Sequence, residues 1–160
     1  MEIIEGSNVT ISHLGLISGL IDELRICECI DTCIPKTRPH HISHGLAVKA
    51  LLLNCLGFTE RRLYILPEFF EDIATERLLG SGVKPEHLNQ YLFGETLDRI
   101  SEYDPTILFN TIIFEILKLI DLGILRLHHD TTSFNVTGEY DSSLNTRLIQ
   151  LVRGHSKDHR

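Results

Sequence analysis

The stretch "HGLAVKALLLNCL", residues 44–56, decides how this chain folds. Its side chains are apolar almost all the way round a helical wheel, with His44, Lys49 and Asn54 as the polar exceptions. A surface helix keeps a polar face, so a helix apolar on nearly every side has to be enclosed by its neighbours. Ser43 stands where a hydroxyl can cap the first turn. A central helix from Ser43 to about Leu56 is therefore expected, with the other elements packed around it.

Upstream, "LGLISGLIDELRI" (14–26) sets Leu14, Ile17, Leu20, Ile21 and Leu24 at helical spacing and predicts one short amphipathic helix. Pro35, Pro39 and the charges between them end that unit. Downstream, Pro67 with Tyr64, Phe69 and Phe70 in "FTERRLYILPEFFED" (58–72) predicts two short helical turns packed on the central helix. "TERLLGSGVKPEHLN" (75–89) and "YLFGETLDRISEYD" (91–104) carry Gly or Pro punctuation and short apolar repeats, which predicts further short helices. Asp104 followed by Pro105 is a strong helix start, a cap and then an N1 proline. From there Ile107, Leu108, Ile112, Phe114, Ile116, Leu119 and Ile120 keep helical register as far as a stop at Gly123.

The grammar changes after Gly123. "ILRLHHDTTSFNVT" (124–137) is rich in β-branched residues, "GEYDSSLN" (138–145) is turn chemistry, and "TRLIQLVRG" (146–154) alternates as a second strand. The expected fold class is α+β, mainly α: a multi-helix domain over residues 1–122, then a β-hairpin over 123–160. Two strands without a third are marginal alone. The hairpin thus reads as the opening of a truncated sheet domain.

The 160 residues, 42% apolar and 23% charged with five prolines, suit one domain or one domain plus part of another. A net charge of −7 argues against a protein whose whole surface grips nucleic acid. The distribution is uneven. Residues 1–34 carry six acids against Arg25 alone, while residues 142–160 carry Arg147, Arg153, Lys157 and Arg160 against Asp158 alone. No basic-then-apolar leader or membrane-length apolar run is present, so a cytoplasmic protein without membrane contact is expected. In that compartment Cys27, Cys29, Cys33 and Cys55 are expected as thiols.

Three clusters could carry chemistry. Cys27, Cys29, Cys33, His40, His41 and His44 supply soft ligands within eighteen residues, but Cys-x-Cys in a helix points its thiols to different faces and no Cys-x-x-Cys knuckle is present. In the strand around "LHHDTTSFNVTGEY" (127–140), His128, Asp130 and Thr132 share one face. Asp in mid-strand needs compensation, which a divalent cation, exposure near a strand end or the hydroxyls of Thr131 to Ser133 could each supply. "RGHSKDHR" (153–160) reads as a solvated tail or a phosphate-facing loop.

Together "LHHDTTSFNVTGEY" and "GHSKDHR" resemble the start of the catalytic domain in DDE transposases of bacterial and archaeal insertion sequences, closest to the IS4-related branch. Residues 44–72 and 78–103 likewise resemble that branch's helical N-terminal domain, often catalogued as a domain of unknown function. Gln90 stands where that branch has an acidic residue. The resemblance implies a helical domain followed by an RNase H-like fold, with Asp130 as the first acid of the Asp-Asp-Glu triad and a ligand of Mg²⁺ or Mn²⁺ in a complete site. It also implies DNA transposition, with the element's terminal inverted repeats as partner and Arg61, Arg62, Arg153, Lys157 and Arg160 as candidate DNA contacts. In two-metal phosphoryl transfer the carboxylates hold ions roughly 4 Å apart. Asp158 does not match the second Asp, and no residue matches the Glu. The chain is therefore expected to be an N-terminal fragment, not catalytic alone and holding no metal stably. Alternatives are a DNA-binding or oligomerising regulator that pairs with itself or with full-length transposase, and an inert truncated product.

Overall fold

The structure is a computed structural model that describes residues 9–36, 42–57 and 65–120. The chain divides between Ile120 and Asp121, and all described residues belong to the first unit. They form seven α-helices: α1 (Leu14–Glu23), α2 (Ile26–Cys33), α3 (His44–Leu56), α4 (Leu66–Glu71), α5 (Thr75–Leu79), α6 (Gln90–Tyr103) and α7 (Pro105–Leu119). A 3₁₀ turn, Pro85–His87, lies between α5 and α6. Among the described residues the one β pairing is a parallel bridge between Thr10 and Ile73. The mainly helical expectation holds, and the hairpin expected at 123–160 lies outside the described residues.

Helix α3 is the centre that its sequence demands. Ser43 Oγ accepts from Leu46 N at 3.1 Å, and Asp31 Oδ1, reaching over from α2, accepts from Gly45 N at 2.7 Å. Two of the amide groups left over at any helix start are thereby satisfied. Ala47, Ala50 and Leu53 are fully buried, and α1, α2, α5 and α6 pack around the helix. Leu14, Leu66, Phe70, Leu78, Leu88 and Phe93 are among the residues that join them in this main core. The Phe69 and Phe70 rings meet edge to face, centroids 4.9 Å apart.

Two of the polar members of α3, His44 and Lys49, reach partners on other helices. Thr96 of α6 donates its only hydroxyl proton to Leu92 O (2.8 Å), so its oxygen accepts from His44 Nδ1–H at 3.0 Å. Lys49, 3% exposed, runs its stem through the core and reaches the exposed Asp22 carboxylate at 2.6 Å. A smaller second cluster, Ile30, Ile34 and Leu108, joins α2 to α7.

Three boundaries differ from expectation. The helix predicted over 14–26 is two helices, because Leu24 N bonds Leu20 O, Arg25 N bonds Asp22 O, and Arg25 then turns left-handed at φ +55°. The turn redirects α2 onto α3 and α7, and apolar spacing does not encode it. The crossing of α2 over α3 is very close: a Cβ on Gly45 would stand 2.3 Å from the Cys27 carbonyl oxygen. Residues 90–103 form one helix where shorter pieces were expected. Asn89 Oδ1 caps it through Tyr91 N and Leu92 N, and burial of Phe93 and Thr96 outweighs the weak helix preference of Gly94. Asp104 does cap α7, accepting from Thr106 N at 2.8 Å and Ile107 N at 3.3 Å, but the helix ends at Leu119, short of Gly123.

Candidate functional site

Asp130, Arg61, Arg62, Arg153, Lys157 and Arg160, the residues singled out as metal ligand and DNA contacts, all lie outside the described residues. So do His40 and His41. Gln90 opens α6, where it begins the first turn after the Asn89 cap.

The described surface has a definite electrostatic character. The described residues carry fourteen Asp and Glu against seven Lys and Arg, of which Lys49 alone is buried, so they account for the whole net charge of −7. Four of the seven cations are paired with carboxylates: Lys49 with Asp22, Lys84 with Glu86, Arg99 with Glu102 and Lys118 with Glu115. Phosphate binding needs clustered cations that can release counterions. The described helical surface is the opposite of that.

The thiols divide as the Cys-x-Cys spacing predicts. Cys27 lies at the crossing with α3, where burial and the nearby carboxylates of Asp22, Glu28 and Asp31 push its thiol up to about 11 against the pull of Lys49. Cys29 and Cys33 stand one turn apart on another face, toward α7, and line an open cleft of about 400 Å³ with Thr111 and Lys118. Burial raises the Cys29 thiol, and a hydrogen bond to Cys33 raises it further. Tyr103, at the end of α6, hydrogen-bonds the Cys33 thiol and the Thr111 hydroxyl, and the first of these bonds raises its phenol. His44 points to Thr96 on α6. Among the described residues no group of three or more His, Cys, Asp or Glu is placed to hold a metal ion.

The thiol pair was missed in the sequence because only the Cys27–Cys29 spacing was weighed. The signal was present: Cys29 and Cys33 are spaced i, i+4, which places them on one helix face.

What these residues build is a small helical domain around one buried helix, with an acidic surface. The chain belongs to the family described as Domain of unknown function (DUF4277), whose model matches residues 7–114. That span ends inside α7. No curated protein and no solved structure matches the chain. No helix among the described residues is long and apolar enough to cross a membrane.

Proposed function

We propose that this chain is the N-terminal part of a DDE transposase: a helical domain over about residues 1–122, then the first hairpin of an RNase H-like domain over 123–160. What supports this reading is the order of two features. A helical unit that matches one family over residues 7–114 is followed directly by "LHHDTTSFNVTGEY", in which Asp130 resembles the first acid of the triad.

The proposed role in transposition is binding to the terminal inverted repeats of the element. With the described helical surface acidic and most of its cations paired, phosphate contact falls to Arg61, Arg62, Arg153, Lys157 and Arg160. Mg²⁺ and Mn²⁺ are held by several oxygen ligands, and Asp130 is the one triad acid within residues 1–160. A single carboxylate does not fit a two-ion site, so the chain by itself binds DNA without cutting it.

The test is a mobility-shift series on duplex DNA carrying the repeats that flank the coding sequence. A shift that weakens with salt, and whose salt slope drops by about one for each of Arg61→Ala, Arg62→Ala or Arg153→Ala that removes a phosphate contact, is expected. No shift at low salt, or a shift indifferent to all three substitutions, contradicts the reading. Specific nicks with Mg²⁺ or Mn²⁺ that disappear in Asp130→Ala would contradict the claim that the chain does not cut.

A second reading, pairing with another transposase chain to regulate it, is favoured by α7. Phe109 and Phe114 on that helix are 63% and 65% exposed, and exposed apolar patches mark interaction surfaces. Concentration-dependent association by light scattering, lost in Phe109→Ser, supports it; a strict monomer excludes it for the isolated chain.

A further inference from the structure

Cys29 and Cys33 stand at i and i+4 on α2, and both line the cleft beside α7. Neither sulfur belongs to the main core, and Cys27, the third thiol of the helix, faces α3 instead. Two thiols held one turn apart and lining the same cleft form a dithiol, and helix geometry limits what a dithiol can take. Residues i and i+4 on a helix have Cβ atoms roughly 5–6 Å apart. An unstrained disulfide needs about 3.5–4.5 Å between them. Oxidative closure would therefore have to unwind the last turn of α2, which Ile30 and Ile34 anchor in the second core. A single soft atom bonded to both sulfurs bridges the wider gap with the helix intact.

Zinc in a structural site takes four ligands, and no third His, Cys, Asp or Glu joins this pair among the described residues. A soft monovalent d¹⁰ cation, with its preference for thiolate sulfur and its tolerance of two-coordination, fits two ligands. We propose that Cys29 and Cys33 form a two-thiolate site for such a cation, of the Cu(I) type. On binding, each thiol releases one proton to solvent and each sulfur makes one bond to the ion. No electron is transferred and no oxidant is consumed. The complex carries one negative charge, and Lys118 lines the same cleft, where it is paired with Glu115 at 2.6 Å.

The experiment is an anaerobic titration of the reduced full chain with Cu(I), supplied as a complex with a chromophoric chelator. The wild-type chain and the Cys27→Ser, Cys55→Ser double variant are expected to withdraw one equivalent each, with a thiolate-to-copper charge-transfer band. Cys29→Ser and Cys33→Ser are each expected to lose that equivalent while keeping the wild-type helical circular dichroism. The chain is expected to stay the same size by light scattering, because the two sulfurs lie on one helix. No equivalent bound by the wild type, retention of it in Cys29→Ser or Cys33→Ser, loss of it in the Cys27, Cys55 variant, or chains bridged into dimers by the ion would each overturn the proposal. Unchanged binding by Cys29→Ala and Cys33→Ala would do so too, independently of any effect of the serine hydroxyl.

Discussion

Helices α3 and α7 are comparably apolar in sequence and opposite in circumstance. Around α3, thirteen buried residues drawn from five helices and their connections form one continuous core. Along α7, Leu108 alone is buried, in a cluster of three, while Ile107, Phe109, Phe114 and Leu119 are more than half exposed. Apolar content fixes that a helix can be buried; what covers it is decided by chain connections elsewhere. The family match shares that asymmetry, since it spans all of α3 and stops at Phe114, within α7.

The sharpest way to break this comparison is to damage each side of it. Phe70→Ala empties a fully buried ring site in the main core and is expected to cost about 3–5 kcal/mol in chemical denaturation. A loss under about 1 kcal/mol would mean that the α3 core is not the source of stability. Gly45→Ala comes next. Its Cβ would meet backbone of Cys27 at 2.3 Å, which no side-chain rotation relieves, so α2 and α3 must separate at an expected cost of about 1–3 kcal/mol. Asp31→Ala removes the carboxylate that receives Gly45 N, and a loss of about 1 kcal/mol is expected in the same measurement.

How much of this was visible in the sequence varies with the kind of signal. The α3 helix, its Ser43 cap and the Asp104–Pro105 start of α7 were legible because each is a local pattern whose physics acts within one turn. The break at Arg25 was not, since Leu20, Ile21 and Leu24 hold helical register right up to it, and the break serves packing of α2 against helices far along the chain. Gly94 misled in the other direction: it looks like punctuation, yet burial of Phe93 and Thr96 on either side carries the helix through it. For the sites, the split of Cys27 from Cys29 followed from spacing alone. The pairing of Cys29 with Cys33 was legible in their i, i+4 spacing, whereas the cleft they line with Thr111 and Lys118 depended on knowing where α7 lies.

Smaller effects sharpen the contrast. The Cys27 thiol is raised from its ordinary value near 9 to about 11, so the folded chain holds this proton more tightly than the unfolded chain does. Its contribution to stability is complete below pH 9 and is lost as pH rises through 11. Stability measured from pH 8 to 11 should therefore decline less steeply in Cys27→Ala than in the wild type; an identical slope would show that the α2–α3 crossing does not protect the thiol. The smallest effect is expected on α7. Phe114→Ser should change the stability of the monomer by no more than about 0.5 kcal/mol, because its ring is 65% exposed. A loss of 2 kcal/mol or more would show that this face is covered, and the comparison with α3 would fail.

The reading of this chain as the N-terminal part of a DDE transposase is tested most directly by the nucleotide sequence immediately beyond codon 160. It predicts that one of the three forward frames encodes the missing acids, an Asp at the end of a β-strand and, further on, a Glu on a helix. Three frames without such a pair would contradict it, and would leave Asp130 as an ordinary aspartate in a hydroxyl-rich segment.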